Sequence, residues 1–234
     1  MSDEPRPQQL VLDFAHRTAR GAGDFLVAPT NQAAVELVDR WPSWPAHGLL
    51  LSGPPGCGKT HLVSVWRERS RAQAVAFSSL ADDAIDVFKV SGAIAVEDLE
   101  RGAGDQRLLF HLLNLAREHQ GHVLVTARHR AGDLDNITLP DLRSRLRALP
   151  GVEIAPPDDA LLRALLVKLF DDRQLAIDPN VVEFLLSRME RSMDAAVQVV
   201  SELDREALAH HRRVTRTLAS EILARRGALN PPTD

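Results

Sequence analysis

Short apolar runs alternate with longer amphipathic segments through the first two thirds of the chain. The short runs have the length of strands and lie at residues 49–52, 74–78, 93–97, 123–126 and 152–155. In the longer segments, apolar residues return every three or four positions, as on one face of a helix. Strands that alternate with helices predict a parallel sheet that is covered on both faces. Helices are expected at residues 31–40, 61–69, 106–119, 158–170, 178–187, 192–209 and 218–225.

The pattern changes at Pro156-Pro157. Beyond these prolines no strand pattern follows, and the remaining apolar residues recur at helical spacing. Asp178 before Pro179, and Ser192, are typical of helix starts, because their side chains can cap free backbone N–H groups. The sequence therefore predicts three parts, a flexible tail, an α/β domain with a five-stranded parallel sheet and a small all-helical domain. Their expected bounds are 1–21, 22–156 and 157–234.

The most informative motif lies directly after the first strand. Residues 53–60 read Gly-Pro-Pro-Gly-Cys-Gly-Lys-Thr, which is the G-x-x-x-x-G-K-T spacing of a phosphate-binding P-loop. An apolar strand before it and a helical pattern after it supply the context that the motif needs. Glycines let the backbone aim N–H groups at phosphate oxygens, and the helix that begins here adds its positive dipole end. The sequence therefore predicts a nucleotide-binding protein.

Two side chains of this loop carry specific chemistry. The Lys59 ammonium can meet the β- and γ-phosphates, and the Thr60 hydroxyl is a ligand for Mg²⁺. Cys57 is the single cysteine of the chain and fills a free position of the motif as a small, tolerated residue. One cysteine allows no internal disulfide, which fits a reducing cytoplasm. We expect the nucleotide to contact Gly53, Pro54, Pro55, Gly56, Cys57, Gly58, Lys59, Thr60 and His61.

Two carboxylates, Glu97 and Asp98, stand where the third apolar run ends. Because the carboxyl ends of parallel strands share one edge of a sheet, these side chains should lie beside the P-loop. We predict that Glu97 binds Mg²⁺ and that Asp98 activates the attacking water. Thr126 ends the next apolar run and should reach the γ-phosphate or that water.

Arginines occupy alternate positions farther along, at Arg143, Arg145 and Arg147. They could form ion pairs on a solvent-facing helix. Alternatively, one of them could insert into the nucleotide of a neighbouring subunit as an arginine finger. Physical chemistry alone leaves both interpretations open.

Bulk composition argues against several classes of protein. The 234 residues carry a formal net charge of −4, which disfavours binding to nucleic acid through general positive charge. No apolar run is long enough to span a membrane, and the acidic first residues do not form a signal peptide. We therefore expect a cytoplasmic protein without membrane attachment and without direct sequence-specific binding to DNA.

One apolar patch interrupts the polar N-terminal tail. It spans residues 9–14, Gln-Leu-Val-Leu-Asp-Phe, and combines apolar anchors with a hydrogen-bonding glutamine. The patch could be a strand that packs on the core, or a short peptide that docks in the groove of another protein. Its isolation among polar residues favours the docking peptide.

Taken together, the P-loop, the acidic strand end, the arginine segment and the helical lid resemble the AAA+ ATPases. Within them the chain is similar to the AAA+ module of the bacterial replication initiator DnaA, over residues 22–226. Residues 24–31 resemble the segment that cradles adenine in that family, which implies that Phe25 contacts the base of ADP or ATP. Residues 142–146 resemble its arginine-finger segment, which implies that Arg145 is the finger.

Two further features resemble the Hda group of DnaA relatives. The chain ends soon after the lid, so we expect no DNA-binding domain there. The patch at 9–14 is similar to the peptide that docks on the bacterial sliding clamp, which implies clamp contacts from Gln9, Leu10, Leu12 and Phe14. The resemblance implies a negative regulator of replication initiation that binds the DNA-loaded clamp and stimulates ATP hydrolysis by DnaA.

The chain departs from the family pattern at two positions. The first acidic residue is usually Asp and here is Glu97, which alters the Mg²⁺ geometry, so we expect weak or no intrinsic ATPase activity. The lid arginine that senses phosphate corresponds to Asp194 in a gapless match, with Arg191 one turn earlier as a substitute. A carboxylate at Asp194 would oppose a γ-phosphate and favour ADP over ATP.

Two other functions compete with this interpretation. An AAA+ helicase loader would need robust ATP turnover and a surface for single-stranded DNA, and the acidic balance and the clamp-like peptide argue against it. A self-contained small-molecule kinase would not need the helical lid or the Arg145 segment. The sequence does not determine the oligomeric state, and a homodimer is compatible with it.

Overall fold

The computed structural model describes residues 26–101, 103–210 and 212–229, and the five predicted strands lie among them. They are β1 (Gly48–Ser52), β2 (Gln73–Ala76), β3 (Ala93–Glu97), β4 (His122–Ala127) and β5 (Gly151–Glu153). All neighbouring strands run parallel, in the order β2-β3-β4-β1-β5. The predicted five-stranded parallel sheet is therefore confirmed, with the P-loop strand β1 beside β4.

Helices cover both faces of this sheet. They are α1 (Gln32–Asp39), α2 (Lys59–Ser70), α3 (Asp83–Ser91), α4 (Gln106–Glu118) and α5 (Pro140–Ala148). Side chains alternate along β1, so Leu49 and Leu51 pack with α1 and α2, whereas Leu50 packs in the core that contains α3, α4 and α5. Burial on both faces explains why β1 reads as an unbroken apolar run.

Helix α3 was not among the predicted helices. It has nine residues, and only Ala84 and Phe88 are buried. Val90, in contrast, is 90 % exposed, so the apolar residues of this segment do not form one stripe. A short helix with two buried anchors gives too weak a periodic signal to be recognised from sequence.

The helices of the lid follow β5 and have a core of their own. They are α6 (Asp159–Asp171), α7 (Pro179–Leu186), α8 (Met193–His210) and α9 (Arg216–Leu229). Two predicted starts are confirmed, since Asp178 Oδ1 accepts the Asn180 N–H at 2.8 Å and Ser192 Oγ accepts the Ala195 N–H at 3.0 Å. Leu26 and Ala28 pack against this lid core, so the segment before α1 ties the lid to the α/β domain.

Candidate nucleotide site

The P-loop connects β1 to α2 with the geometry that its glycines predict. Gly53 and Gly56 have φ values of 148° and 68°, which side chains disfavour. A Cβ at Gly53 would lie 2.4 Å from the Ile154 carbonyl oxygen, so no larger residue fits there. Helix α2 begins at Lys59, two residues earlier than the sequence pattern suggested, and its N-terminal N–H groups therefore face the loop.

The P-loop also forms a direct joint with the lid. The Met193 N–H, in the first turn of α8, donates to the Gly56 carbonyl at 2.8 Å. A Cβ at Gly56 would lie 2.4 Å from Ser192 Cβ, so the two backbones approach closely. A cavity of about 460 Å³ lies beside this joint, lined by the loop, the start of α2 and residues of α6 and α8. The candidate nucleotide site is therefore a cleft between the α/β domain and the lid.

Lys59 is held inside the loop. Its ammonium donates to the carbonyl oxygens of Gly53 at 2.7 Å and Pro54 at 2.9 Å, and only 7 % of the residue is exposed. The cation is thus positioned at the base of the cleft by the loop that would surround the phosphates. Cys57 Sγ lies 3.8 Å from the same ammonium. Burial raises the pKa of the Cys57 thiol despite this cation, so the residue is a neutral packing group, as predicted.

Glu97 and Thr60 meet at the edge of the sheet. Burial raises the pKa of Glu97, with a further increase from the Asp98 charge, while a hydrogen bond with the Thr60 side chain lowers it. The described residues hold no group of three or more His, Cys, Asp and Glu side chains that could enclose a metal. Mg²⁺ typically takes one or two protein oxygens together with phosphates and waters, so this hydroxyl–carboxylate pair suits it. Thr60 lines the cleft and Glu97 is absent from its lining, so the binding of Mg²⁺ by this pair stays a prediction.

Asp98 and Thr126 are linked at the ends of neighbouring strands. Asp98 has a left-handed backbone, φ 60°, and its N–H donates to Thr126 Oγ1 at 3.0 Å. Asp98 lines the cleft, whereas Thr126 is only 1 % exposed and is not part of the lining. The Thr126 hydroxyl therefore supports the backbone of Asp98, and its predicted reach to the γ-phosphate or the water stays a prediction.

The lid contributes Asp194 to the cleft, and Arg191 is held elsewhere. Asp194 lines the cavity at the first turn of α8. The Arg191 guanidinium forms an ion pair with Asp159 and is not among the lining residues. A contact between Arg191 and a nucleotide would require that ion pair to break, so the prediction for Arg191 has no support from its present contacts.

The predicted finger lies outside this cleft. Arg145 is on α5, is half-buried, and makes no side-chain hydrogen bond or ion pair with a described residue. Arg143 and the exposed Arg147 likewise make no side-chain hydrogen bond or ion pair with a described residue. The ion-pair interpretation of these arginines therefore has no support among the described residues, and the arginine-finger interpretation stays a prediction. The predicted contacts of Gln9, Leu10, Leu12, Phe14 and Phe25 lie outside the described part of the chain.

Three cationic side chains that line the cleft were not predicted from the sequence. Arg101 pairs with Asp98 at 3.4 Å, Lys168 pairs with Asp172 at 2.7 Å, and Arg128 follows the end of β4. Arg128 could have been predicted, because it directly follows the end of strand β4. The apolar run was taken to end at Thr126, whereas β4 ends at Ala127, so the strand-end role was assigned to Thr126. Lys168 had no such signal, because its position depends on how α6 packs within the lid.

Comparisons with known proteins agree with this fold. Residues 158–223 match the family model described as the Hda lid domain. The chain is 27 % identical to the chromosomal replication initiator protein DnaA of Thermomicrobium roseum over 229 residues, which is 85 % of this chain and 48 % of that protein. It therefore spans about half the length of that relative. No helix in residues 26–101, 103–210 or 212–229 could cross a membrane.

Solved structures of DnaA have the same fold. Domain III of the Thermotoga maritima protein aligns with a TM-score of 0.72 and 17 % identity, covering 86 % of this chain and 94 % of that one. AMPPCP-bound DnaA from Aquifex aeolicus aligns with a TM-score of 0.66 and 16 % identity, covering 88 % of this chain and 69 % of that one. At these identities the alignments establish the fold alone.

Proposed function

This chain is a DnaA-related AAA+ protein with an Hda-type lid domain, and from that premise we propose that it restrains replication initiation by stimulating ATP hydrolysis by DnaA. In this proposal it is a nucleotide-bound adaptor, which carries ADP or ATP with Mg²⁺ in the cleft between the P-loop and the lid. It sits on the DNA-loaded sliding clamp through the peptide at residues 9–14. The cleft binds and orients this chain's own nucleotide. Arg145 on α5 contacts the ATP bound to DnaA.

The unpaired arginines of α5 carry the proposal. Two arginines of the lid, Arg163 and Arg226, bond carboxylates of this chain. Arg145 makes no such bond with a described residue and is absent from the lining of its own cleft. A guanidinium without an internal partner is available to the nucleotide of a neighbouring subunit. There it would stabilise the charge that spreads over the phosphoryl oxygens in the transition state.

The chain's own hydrolysis is proposed to be weak. Burial of the Glu97 carboxyl raises its pKa, and the longer side chain shifts its oxygens relative to those of an Asp at the Mg²⁺ position. Asp194 adds a second carboxylate on the lid side of the cleft. The Asp194 carboxylate would oppose a γ-phosphate, so we propose ADP as the resting nucleotide.

The test compares Arg145→Ala with Arg143→Ala in single-turnover hydrolysis by ATP-loaded DnaA on DNA-loaded clamp. We expect Arg145→Ala to lower the stimulated rate by roughly 10³–10⁵, the range that fingers contribute. Arg143→Ala is the matched control on the same helix and should retain stimulation. Full activity of the Arg145 variant, or a larger defect at Arg143, would refute the assignment.

The clamp peptide is tested separately. Replacing Gln9, Leu10 and Leu12 with alanine should abolish co-elution with purified clamp, because these side chains would supply the docking contacts. Nucleotide affinity should stay at the wild-type value, since the P-loop and the lid are unchanged. A triple variant that still co-elutes with the clamp would exclude this peptide as the docking site.

A further inference from the structure

Residues 134–139 form the segment that leads into α5, the helix that carries Arg145. Within this entry segment Leu134 and Ile137 are buried, and the Ile137 N–H donates to the Leu134 carbonyl oxygen at 3.1 Å. Leu139 stands directly before the helix and provides no side-chain cap for it. Because α5 lacks a cap of its own, the position of its first turn depends on contacts from other elements.

Gln106, the first residue of α4, makes such contacts with both ends of its amide. Its Oε1 accepts the backbone N–H groups of Thr138 and Leu139, each at 2.9 Å. Its Nε2 donates to the Asn136 carbonyl oxygen, also at 2.9 Å. Asp105 caps α4 immediately before this glutamine, so the side chain projects from a defined helix start. One half-buried glutamine therefore bonds three backbone groups of the entry segment.

The Asn136 side chain attaches the same segment to the sheet. Its Nδ2 donates to the carbonyl oxygen of Leu99, which follows Asp98 directly. The N–H of the fully buried Leu99 donates in turn to the Thr126 carbonyl oxygen at 3.1 Å. The entry segment is therefore fixed to α4 and also to the edge of the sheet where β3 and β4 end.

Hydrophobic contacts and these hydrogen bonds constrain α5 in different ways. Leu142 and Leu146 are fully buried and hold one face of the helix against the core. Such contacts are not directional, so they fix which face is buried more closely than the position of the helix along its axis. Hydrogen bonds at the first turn supply that constraint. Arg145 lies on the order of 9 Å along the axis from Leu139, so a shift of the first turn also moves the guanidinium.

We propose that Gln106, together with Asn136, positions Arg145 for the nucleotide of the neighbouring subunit. The inference rests on the finger role of Arg145 in the proposed function. Gln106 is a positioning residue, because its amide acts through the entry segment and α5. A finger stabilises the transition state only at hydrogen-bond distance, and a displacement of about 1 Å can lower a rate by about 10²-fold. Gln106 therefore affects the rate of the stimulated reaction more than the affinity for the partner.

Single-turnover hydrolysis by ATP-loaded DnaA on DNA-loaded clamp, measured over a range of concentrations of this chain, tests the inference. Gln106→Ala should lower the maximal stimulated rate by about 10–10²-fold and leave the half-saturating concentration at the wild-type value. Asn136→Ala should lower the maximal rate in the same direction. Both effects should be smaller than the factor of roughly 10³–10⁵ expected for Arg145→Ala, because the guanidinium is still present.

A matched control separates positioning from folding. Gln32→Ala removes a glutamine whose Nε2 donates to Glu36 Oε1 at 2.9 Å within α1, so both kinetic values should be unchanged. A loss of folded protein reduces the number of active molecules, which raises the half-saturating concentration but leaves the maximal rate unchanged. That result in Gln106→Ala would overturn the positioning role.

Hydrogen exchange measures the proposed contacts without DnaA. In Gln106→Ala the N–H groups of Thr138 and Leu139 lose their acceptor, so a peptide that covers residues 134–148 should exchange faster than in wild type. Gln106→Glu keeps an acceptor for both groups, although it cannot donate to Asn136. It should therefore retain more protection and a higher maximal rate than Gln106→Ala. Equal exchange in wild type and Gln106→Ala, or equal maximal rates for the two Gln106 variants, would overturn the inference.

Failures of this inference and of the proposed function are distinguishable. Full stimulation by Gln106→Ala, together with a defective Arg145→Ala, refutes the positioning role and leaves the proposed function intact. Full stimulation by Arg145→Ala, or wild-type protein that does not stimulate DnaA, refutes the finger and with it the inference that depends on it.

Discussion

At the scale of single residues, burial changes the pKa of a carboxyl group beside the P-loop. Glu97 is the clearest case, because burial raises the pKa of its carboxyl while the Thr60 hydrogen bond acts in the opposite direction. A carboxyl with a raised pKa holds its proton more tightly in the folded protein than in the unfolded chain. Stability contributed by this group is therefore lost as pH rises from the unfolded pKa through the raised folded pKa.

Replacing Glu97 with glutamine tests this linkage. In the absence of Mg²⁺ and nucleotide, Glu97→Gln should raise Tm at pH 7, since no desolvated charge remains and the amide oxygen can still bond Thr60. The difference should vanish below about pH 4, where the wild-type carboxyl is also protonated. The variant should in addition lose the Mg²⁺-dependent gain in nucleotide affinity, measured by calorimetry. A lower Tm for the variant at pH 7 would contradict this account.

At the scale of elements, the start of α8 joins the lid to the P-loop. Ser192 is 4 % exposed, caps the helix through the Ala195 N–H, and packs against Gly56. The neighbouring Met193 N–H donates to the loop itself. One short segment therefore begins a lid helix and also contacts the phosphate loop, so the position of the lid is coupled to the conformation of that loop.

Removing the cap should weaken this element measurably. Ser192→Ala loses the side-chain acceptor for the Ala195 N–H, which should cost about 1 kcal/mol. For a chain of this size that corresponds to a Tm about 2–4 °C lower. Ser220→Ala is the control, because Ser220 is exposed on α9 and makes no side-chain hydrogen bond with a described residue. An equal Tm for both variants would mean that the cap does not stabilise α8.

At the scale of the whole molecule, the cleft lies between the α/β domain and the lid. The α/β domain has one core on each face of its sheet, and the lid has a third, which also includes Ala28. Pocket residues come from the P-loop and from α6 and α8. A ligand in the cleft therefore contacts both parts and binds only when they are folded and docked.

Nucleotide should consequently stabilise the whole protein. At a ligand concentration of about 100 times Kd, binding contributes about 2.7 kcal/mol, which corresponds to a rise in Tm on the order of 5–10 °C. Lys59→Ala should remove most of this rise, because the cation at the base of the loop is lost, while the melting transition itself remains cooperative. Scanning calorimetry with and without ADP and Mg²⁺ measures both effects. An undiminished rise in the Lys59 variant would exclude the ammonium as a phosphate ligand.

Local patterns in the sequence determined most of the fold. The strands are marked by short apolar runs and most helices by their own periodicity, and the P-loop is recognisable because its backbone conformation requires glycines at set spacings. Strand-end reasoning also placed Glu97 and Asp98 at the correct edge, because residues at the carboxyl ends of parallel strands are neighbours whatever the packing of the helices. Helix α3 escaped this reasoning because it buries too few residues.

Only the tertiary structure decided which charges meet in the cleft. The choice between Asp194 and Arg191 depends on how α8 docks on Gly56, and the structure turns the first toward the cavity and pairs the second with Asp159. Arg128 differs from the other cations of the cleft only in the structure, where Lys59, Arg101 and Lys168 have partners. Such contacts join residues far apart in the chain, and no local pattern encodes them, because the free energy of each ion pair depends on the distance and burial that packing creates.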